Sequence, residues 1–460
     1  MLVELIRKAK GPRYRAIIDV ISDEIMSGRL SARDRLPTHR ELAHQLGLDV
    51  GTASRAYAEL RRLGLISGEI GRGTFVSELV RDAPPSISET PSTDPFIDLS
   101  HNFPLGAPCN PKVTRIVEGL ISGSRVDELM TYQVDMGQPQ HRDAGRDWLE
   151  FQGLHDVGGE IAVTAGAQHG LLLALAALTR PGDRVMTESV TYFGLKSAAA
   201  LLGLEFVPVA LDEEGLVPER LEEACRESGA KVLCCSPTLH NPTTALMSEG
   251  RRREIAEISR RHGVHIVEDD VYSFLIEPRV PPICSFAPDH TIYVTSVSKC
   301  IGPGLRVGFI RFPHEHAEKI GLAMRATTLM APALTAEIAA RMIQDGMARE
   351  IAADQREEMT RRQALVGEVL GNYAIQHHPQ AFHIWLQLTN GWSSREFANE
   401  ARRCGIGVAP GEIFAVSPLD RPRAVRVCIS AAQNIDHLRK ALTVLRNVLS
   451  GPPHAIAPPV

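Results

Sequence analysis

Residues 77–95 read SELVRDAPPSISETPSTDP. Ser, Thr and Pro dominate this stretch, and no apolar period survives in it, so it has no face to bury as helix or strand. A chain of 460 residues interrupted here has to fold in pieces: a head of about 75 residues and a body of about 365. The expected divisions are a head in 1–77, a linker in 78–96 and a body in 97–455. In polyproline form the linker would reach some ~60 Å, at ~3.1 Å per residue.

The pieces differ in charge. Residues 1–80 hold thirteen Lys and Arg against ten Asp and Glu, a balance of +3, within a chain whose net charge is −5, so the remainder carries −8. A basic head on an acidic body fits a module that faces nucleic acid, although +3 alone is equally that of a solvated surface. With 44% hydrophobic and 23% charged residues, the chain has the composition of a soluble globular protein and not of a disordered one. Eight cysteines occur without a CxxC pair or a neighbouring His cluster at zinc-ligand spacing, so no metal is expected. They read as reduced core cysteines of a cytoplasmic protein. The opening MLVELIRKAK is charged too early for a signal peptide, and the longest apolar run, LLLALAAL at 171–178, is too short to span a bilayer. No membrane contact is expected.

The head reads as three helices and a hairpin. Ile17, Ile18, Ile21 and Ile25 form one helical stripe that closes at Gly28. Thr38 followed three residues later by Glu41 is a capping box opening a second helix, which buries Leu42 and Leu46 and ends at Gly47. A third helix covers GTASRAYAELRRLG, and LISGEIGRGTFV then reads as two short strands around a turn with Gly71 and Gly73. This order is a winged helix-turn-helix, in which the third helix presents its first residues to base edges. Thr52, Ser54 and Arg55 are the candidates for that role, with Arg40 and Arg72 placed for phosphates or the minor groove. A small helical domain used for protein contacts is the competing reading. The stretch from SGRLSARDRLPTHRELAHQLGLDVGTASRAYAEL to GRGTFV resembles the DNA-binding head of the GntR family of bacterial regulators. That family usually carries basic residues where Val50 and often Ser54 stand, so operator DNA is expected as a partner but its sequence does not carry over.

In the body, SVSKCIGPGLRVGFI sets Lys299 between Val297 and Ile301. A lysine is costly there unless its amine is used. A Schiff base with pyridoxal phosphate would use it, and would need a carboxylate for the pyridine nitrogen, donors to the ring oxygen, an aromatic face and a phosphate cradle. Asp269, at the end of the apolar run in HIVEDDVYSFL, is the carboxylate chosen, with Glu268 and Asp270 as rivals on the opposite face. Asn241 in LHNPTTA and Tyr272 are the candidate oxygen donors, and Tyr192 is the stacking ring. The amides of Ala167 and Gln168 open the helix after VTAG, and with Ser296, Ser298 and Arg306 they form the candidate phosphate site.

Order and residue types over roughly 97–448 resemble fold-type I pyridoxal-phosphate enzymes of the class I aminotransferase kind, most specifically through SxSKxxxPGxRxG from Ser296 to Gly308. The resemblance implies Lys299 as the catalytic Schiff-base lysine and a large α/β/α domain followed by a smaller C-terminal α/β domain. It implies that Tyr132 reaches the phosphate of a neighbouring subunit, hence a homodimer, and that Arg426 in RAVRVCIS grips a substrate carboxylate. The sequence departs from the family in NPTT for NPTG and in Val190 for a proline, neither of which removes a catalytic group.

A GntR-type head on such a body resembles the MocR subfamily of transcription regulators, which implies a head-to-tail dimer and a body that senses an amino acid or related amine through an external aldimine. Two functions stay open on these residues: a regulator that senses through its cofactor, and a working aminotransferase with a keto-acid acceptor. A cofactor-free scaffold would not keep all the polar site residues.

Overall fold

The structure is a computed structural model and describes residues 2–8, 12–26, 30, 33–62, 65–69, 73–76, 96–105, 111–123, 125–155, 158–417 and 421–453. Arg72, Gly28, Gly71 and the linker residues 77–95 lie outside the described residues. The chain forms two compact units, Met1–Ser86 and Ile87–Val460.

In the first unit the helix Arg13–Met26 buries Ile17, Ile18, Ile21 and Ile25 against Leu42, Tyr57, Leu60, Ile66 and Val76. Thr38 and Glu41 form the capping box, each side chain meeting the other's backbone N–H, and Gly47 ends the helix His39–Leu46 in the left-handed conformation with φ 68°. The third helix runs Val50–Arg62. Its first turn is closed by Asp49, which accepts from the Thr52 N–H and hydroxyl. Any side chain at position 51 would put Cβ 2.8 Å from the Asp49 carboxylate, which accounts for Gly51. Strands Ile66–Glu69 and Gly73–Val76 pair antiparallel as the wing. Two elements were not expected from the sequence: the helix Leu2–Lys8, and a third strand, Arg35–Leu36, that pairs with Gly73–Val76.

The second unit is built on a seven-stranded sheet. Across it lie Glu160–Thr164, Gly308–Phe312, Thr291–Ser296, His265–Asp269, Val232–Cys235, Arg184–Glu188 and Glu205–Val209. Only Gly308–Phe312 runs against the others. The central strands are buried along their length, which fits their predominantly apolar composition. Because six strands point the same way, Thr164, Glu188, Cys235, Asp269 and Ser296 all end at one edge of the sheet, where ligands bind in open α/β folds. Gly308 starts the reversed strand at that same edge and is pressed against Gly166, whose carbonyl carbon would lie 2.7 Å from an added Cβ.

A smaller antiparallel sheet follows, with strands Ile375–Gln376, Ile384–Gln387, Ala424–Val427 and Ala409–Pro410 in that order. Strand Ile97–Asp98 pairs in parallel with Ile406–Gly407, so the start of this unit is bound to its C-terminal part. Six of the seven described cysteines are buried, but Cys404 is exposed, a correction to the expectation of core cysteines throughout: it sits just past the polar helix Ser394–Arg403. No described helix is long and apolar enough to cross a membrane.

Candidate functional site

The three neighbouring acids at the end of strand His265–Asp269 have different fates. Glu268 is fully buried and accepts from the backbone N–H groups of Ile283 and Cys284, both at 2.8 Å. Asp270 accepts from the Thr238 hydroxyl at 3.2 Å and the Ser273 N–H at 3.1 Å. Asp269 points the other way, and its Oδ1 is buried with no hydrogen-bond partner. Burial, with Asp270 and Glu188 nearby, pushes the Asp269 carboxyl up to about 7, against the opposing pull of Lys299.

Lys299 follows strand Thr291–Ser296 and donates from Nζ to the Asn102 carbonyl at 2.5 Å. Burial, reinforced by Arg426, lowers its amine to about 8. Arg426, 2% exposed, donates to Asn241 Oδ1 at 2.6 Å and to the Ser100 carbonyl at 2.7 Å, and lies 4.7 Å from the Phe414 ring centre. Both oxygens are neutral, and Arg426 Nε is buried without a partner. Accepting from Arg426 turns the Asn241 amide so that its NH2 remains available as a donor. The Tyr272 phenol accepts from Asn102 Nδ2 at 2.8 Å and keeps its own O–H free to donate. Burial pushes the Tyr272 phenol upward, and it pushes the half-buried Tyr192 to about 12 with help from the charge of Asp269.

The helix Ala167–Leu178 begins at Gly166, φ 86°, with no side chain capping its N–H groups at Ala167 and Gln168. Gln168 is anchored to the Gly194 carbonyl at 2.8 Å. Arg306 leans over this turn: Nη2 donates to the Ala165 carbonyl at 3.1 Å and would lie 2.6 Å from a Cβ at Gly166. Arg306 itself has a left-handed backbone, φ 52°, a conformation held by its surroundings. Ser296 and Ser298 are buried, and Ser298 Oγ has no partner.

The structure thus brings Lys299, Asp269, Asn241, Tyr272, Tyr192 and Arg426 together, with Ala167, Gln168, Ser296, Ser298 and Arg306 around the helix start. Tyr132 stands apart, 85% exposed. Sequence reading passed over Asn102, Ser100, His383 and His240. His383 is buried between Asn102 Nδ2, at 3.2 Å, and the His240 carbonyl, at 3.3 Å, and burial with Arg426 nearby keeps it neutral. A lone histidine in the apolar run AFHIWLQL and a polar SHN between Leu99 and Phe103 were the available signals.

In the first unit, Arg40 and Arg55 are exposed, Arg55 lying 5.4 Å from the Tyr14 ring centre, and Ser54 is half-buried. Thr52 is also half-buried, with its hydroxyl proton committed to Asp49.

Fold and site together define a transcriptional regulator with an aminotransferase-like domain. Residues 94–445 match aminotransferase class I and II, and residues 13–76 match the bacterial regulatory proteins of the gntR family. The chain belongs to the class I and II aminotransferase family and, with its fused gntR domain, to the MocR subfamily of GntR regulators. It is 31% identical to an uncharacterized HTH-type transcriptional regulator of Bacillus subtilis, YdeF, over 96% of both chains. It is 28% identical to the vitamin B6 salvage pathway transcriptional repressor PtsJ of Salmonella typhimurium, over 88% of this chain and 92% of that one. In fold it is similar to a kynurenine aminotransferase of Pyrococcus horikoshii crystallised with PMP, at TM-score 0.72 and 23% identity over 78% of this chain and 91% of the other. Pyridoxal phosphate is the cofactor this family implies. The residues present fit it: an unpartnered buried carboxylate oxygen on Asp269, an unpartnered hydroxyl on Ser298, and an uncapped helix start packed under Arg306.

Proposed function

We propose that this regulator holds pyridoxal phosphate on Lys299 and changes its affinity for operator DNA when an amino acid or related amine binds. The observation that carries the reading is Arg426, a buried guanidinium that donates to two neutral oxygens and is close enough to Lys299 to depress its amine. A buried charge with an open Nε favours a carboxylate-bearing ligand.

When bound, pyridoxal phosphate supplies an aldehyde that condenses with amines and a ring that withdraws electrons. Lys299, with its amine at about 8, supplies the attaching nucleophile near neutral pH. Asp269 Oδ1 holds a proton on the pyridine nitrogen, Tyr272 and Asn241 donate to the ring oxygen, and Tyr192 stacks. Ala167 and Gln168 amides, Ser296, Ser298 and Arg306 hold the phosphate. Arg40, Thr52, Ser54 and Arg55 face DNA, as does Arg72 beyond the described residues.

The working state is a homodimer arranged head to tail. For the dimer, the support is three exposed large apolar side chains at alternate positions, Met130 at 71%, Tyr132 at 85% and Val134 at 59%, which a second copy would cover. Coupling is reciprocal: if the amine changes DNA affinity, operator DNA changes amine affinity by the same factor.

A working aminotransferase is the second reading, because Lys299, Asp269 and Arg426 serve both roles. Titrating the cofactor-loaded protein with a panel of amino acids separates them. A visible band that shifts and persists supports sensing. Bleaching that a keto acid reverses establishes turnover. Equal amine affinity with and without operator DNA sinks the sensor.

A further inference from the structure

The stretch Ile97–Asn102 touches both the C-terminal part of its unit and the amine site. Ile97 N–H donates to the Gly405 carbonyl at 2.9 Å and Leu99 N–H to the Gly407 carbonyl at 2.8 Å. On its other side the Cys428 N–H donates to the Leu99 carbonyl at 2.8 Å. The fit is tight: a Cβ at Gly407 would lie 2.6 Å from Asp98 Oδ1. A strand fixed on both sides moves with its neighbours.

Its last residues hold three groups of the site. The Ser100 carbonyl accepts from Arg426 at 2.7 Å and the Asn102 carbonyl from Lys299 at 2.5 Å. Asn102 Nδ2 donates to the Tyr272 phenol at 2.8 Å, and Asn102 Oδ1 is buried without a partner. A carboxylate drawn to Arg426 competes with the Ser100 carbonyl for the same N–H groups. Any change in the bonding of Lys299 or Tyr272 is felt at Asn102. In the sequence, the chain just ahead of Phe96 is the Ser, Thr and Pro-rich stretch that leads from the DNA-binding unit.

We propose that Asn102 is a positioning residue of the amine site and that the stretch Ile97–Asn102 passes the state of that site to the linker. The idea rests on the sensor reading above.

The test uses the full-length, cofactor-loaded protein and its Asn102→Ala variant. Dissociation constants for a DNA fragment selected by the protein from a random pool are measured without and with the amino acid that shifts the visible band most. The pH midpoint of that band is measured in parallel. The parent ratio should fall within the roughly 5–150-fold range of ordinary coupling, and Asn102→Ala should bring it to within about twofold of one. The midpoint should move by about half a pH unit or more, a change that a merely structural role would not produce. An unchanged ratio with an unchanged midpoint overturns the proposal. If the parent ratio is already one, the sensor reading fails and takes the relay with it, while the midpoint alone still decides the positioning role. Should Asn102→Ala not fold, Asn102→Asp keeps the volume, removes the donor and gives the same two readings.

Discussion

In the DNA-binding unit, polar side chains answer one another at the surface: Thr38 with Glu41, Asp49 with Thr52. In the larger unit, Asp269 Oδ1, Ser298 Oγ and Arg426 Nε are buried and unanswered. The difference follows from the size of the partner each unit is read to meet. A polyanion such as DNA is met by displayed charge, which costs the fold little. A small ligand needs hydrogen-bonding capacity left unmet inside the protein, which costs stability until something fills it.

The largest expected effect that would break this contrast is on Lys299. Lys299→Ala should abolish covalent retention of the cofactor, read as complete loss of its visible band after gel filtration, while DNA binding without the amine persists. Loss of both would mean the units are not separable in this way. Next come the exposed arginines. Arg55→Ala should weaken operator binding by about 5–150-fold, the equivalent of ~1–3 kcal/mol for a base contact, and leave the cofactor band unchanged in a fluorescence-anisotropy and absorbance pair of assays. Arg40→Ala should weaken binding to all sequences alike and flatten the salt dependence.

Asp269→Asn sharpens the contrast from the side of stability. The folded carboxyl sits near 7, above its ordinary value of 3.8, so its favourable contribution is complete below about pH 4 and is lost as pH rises through 7. At pH 8 the cofactor-free variant should therefore be more stable than the parent, by about 1–2 kcal/mol in denaturant melts, discounted because the residue keeps some exposed surface. At pH 4 the gain should vanish, and cofactor affinity should fall at every pH. The smallest effect is at the cap. Thr38→Ala should cost the DNA-binding unit about 1 kcal/mol, lowering its melting transition and not that of the larger unit.

The motif residues were legible because each sits in a local pattern: Thr38 and Glu41 at capping-box spacing, Lys299 between apolar neighbours, Asp269 at the end of an apolar run. Asp269 was chosen for its place at the end of the apolar run, three residues before Tyr272, and strand alternation set Glu268 and Asp270 on the opposite face, but what occupies Glu268 was not legible. Its partners, the Ile283 and Cys284 amides, belong to a turn 15 and 16 residues away that no local pattern announces. Asn102 was hidden for the same reason, since Tyr272 and Lys299 are 170 and 197 residues distant in the chain. Strand Arg35–Leu36 was missed because two residues carry no period.

The three successive acids also bear on how this gene can change. Glu268 clamps a turn and Asp270 ties down Thr238 and Ser273, while Asp269 between them is left unengaged. Deleting or inserting one codon upstream in this strand would still present a carboxylate at the sheet edge, but on the wrong face, with the turn of Ile283 unclamped. Point substitutions can therefore retune the site, whereas changes of length are closed to it. Lineages of this protein should vary in length in the connections and hold the strand His265–Asp269 at its five residues.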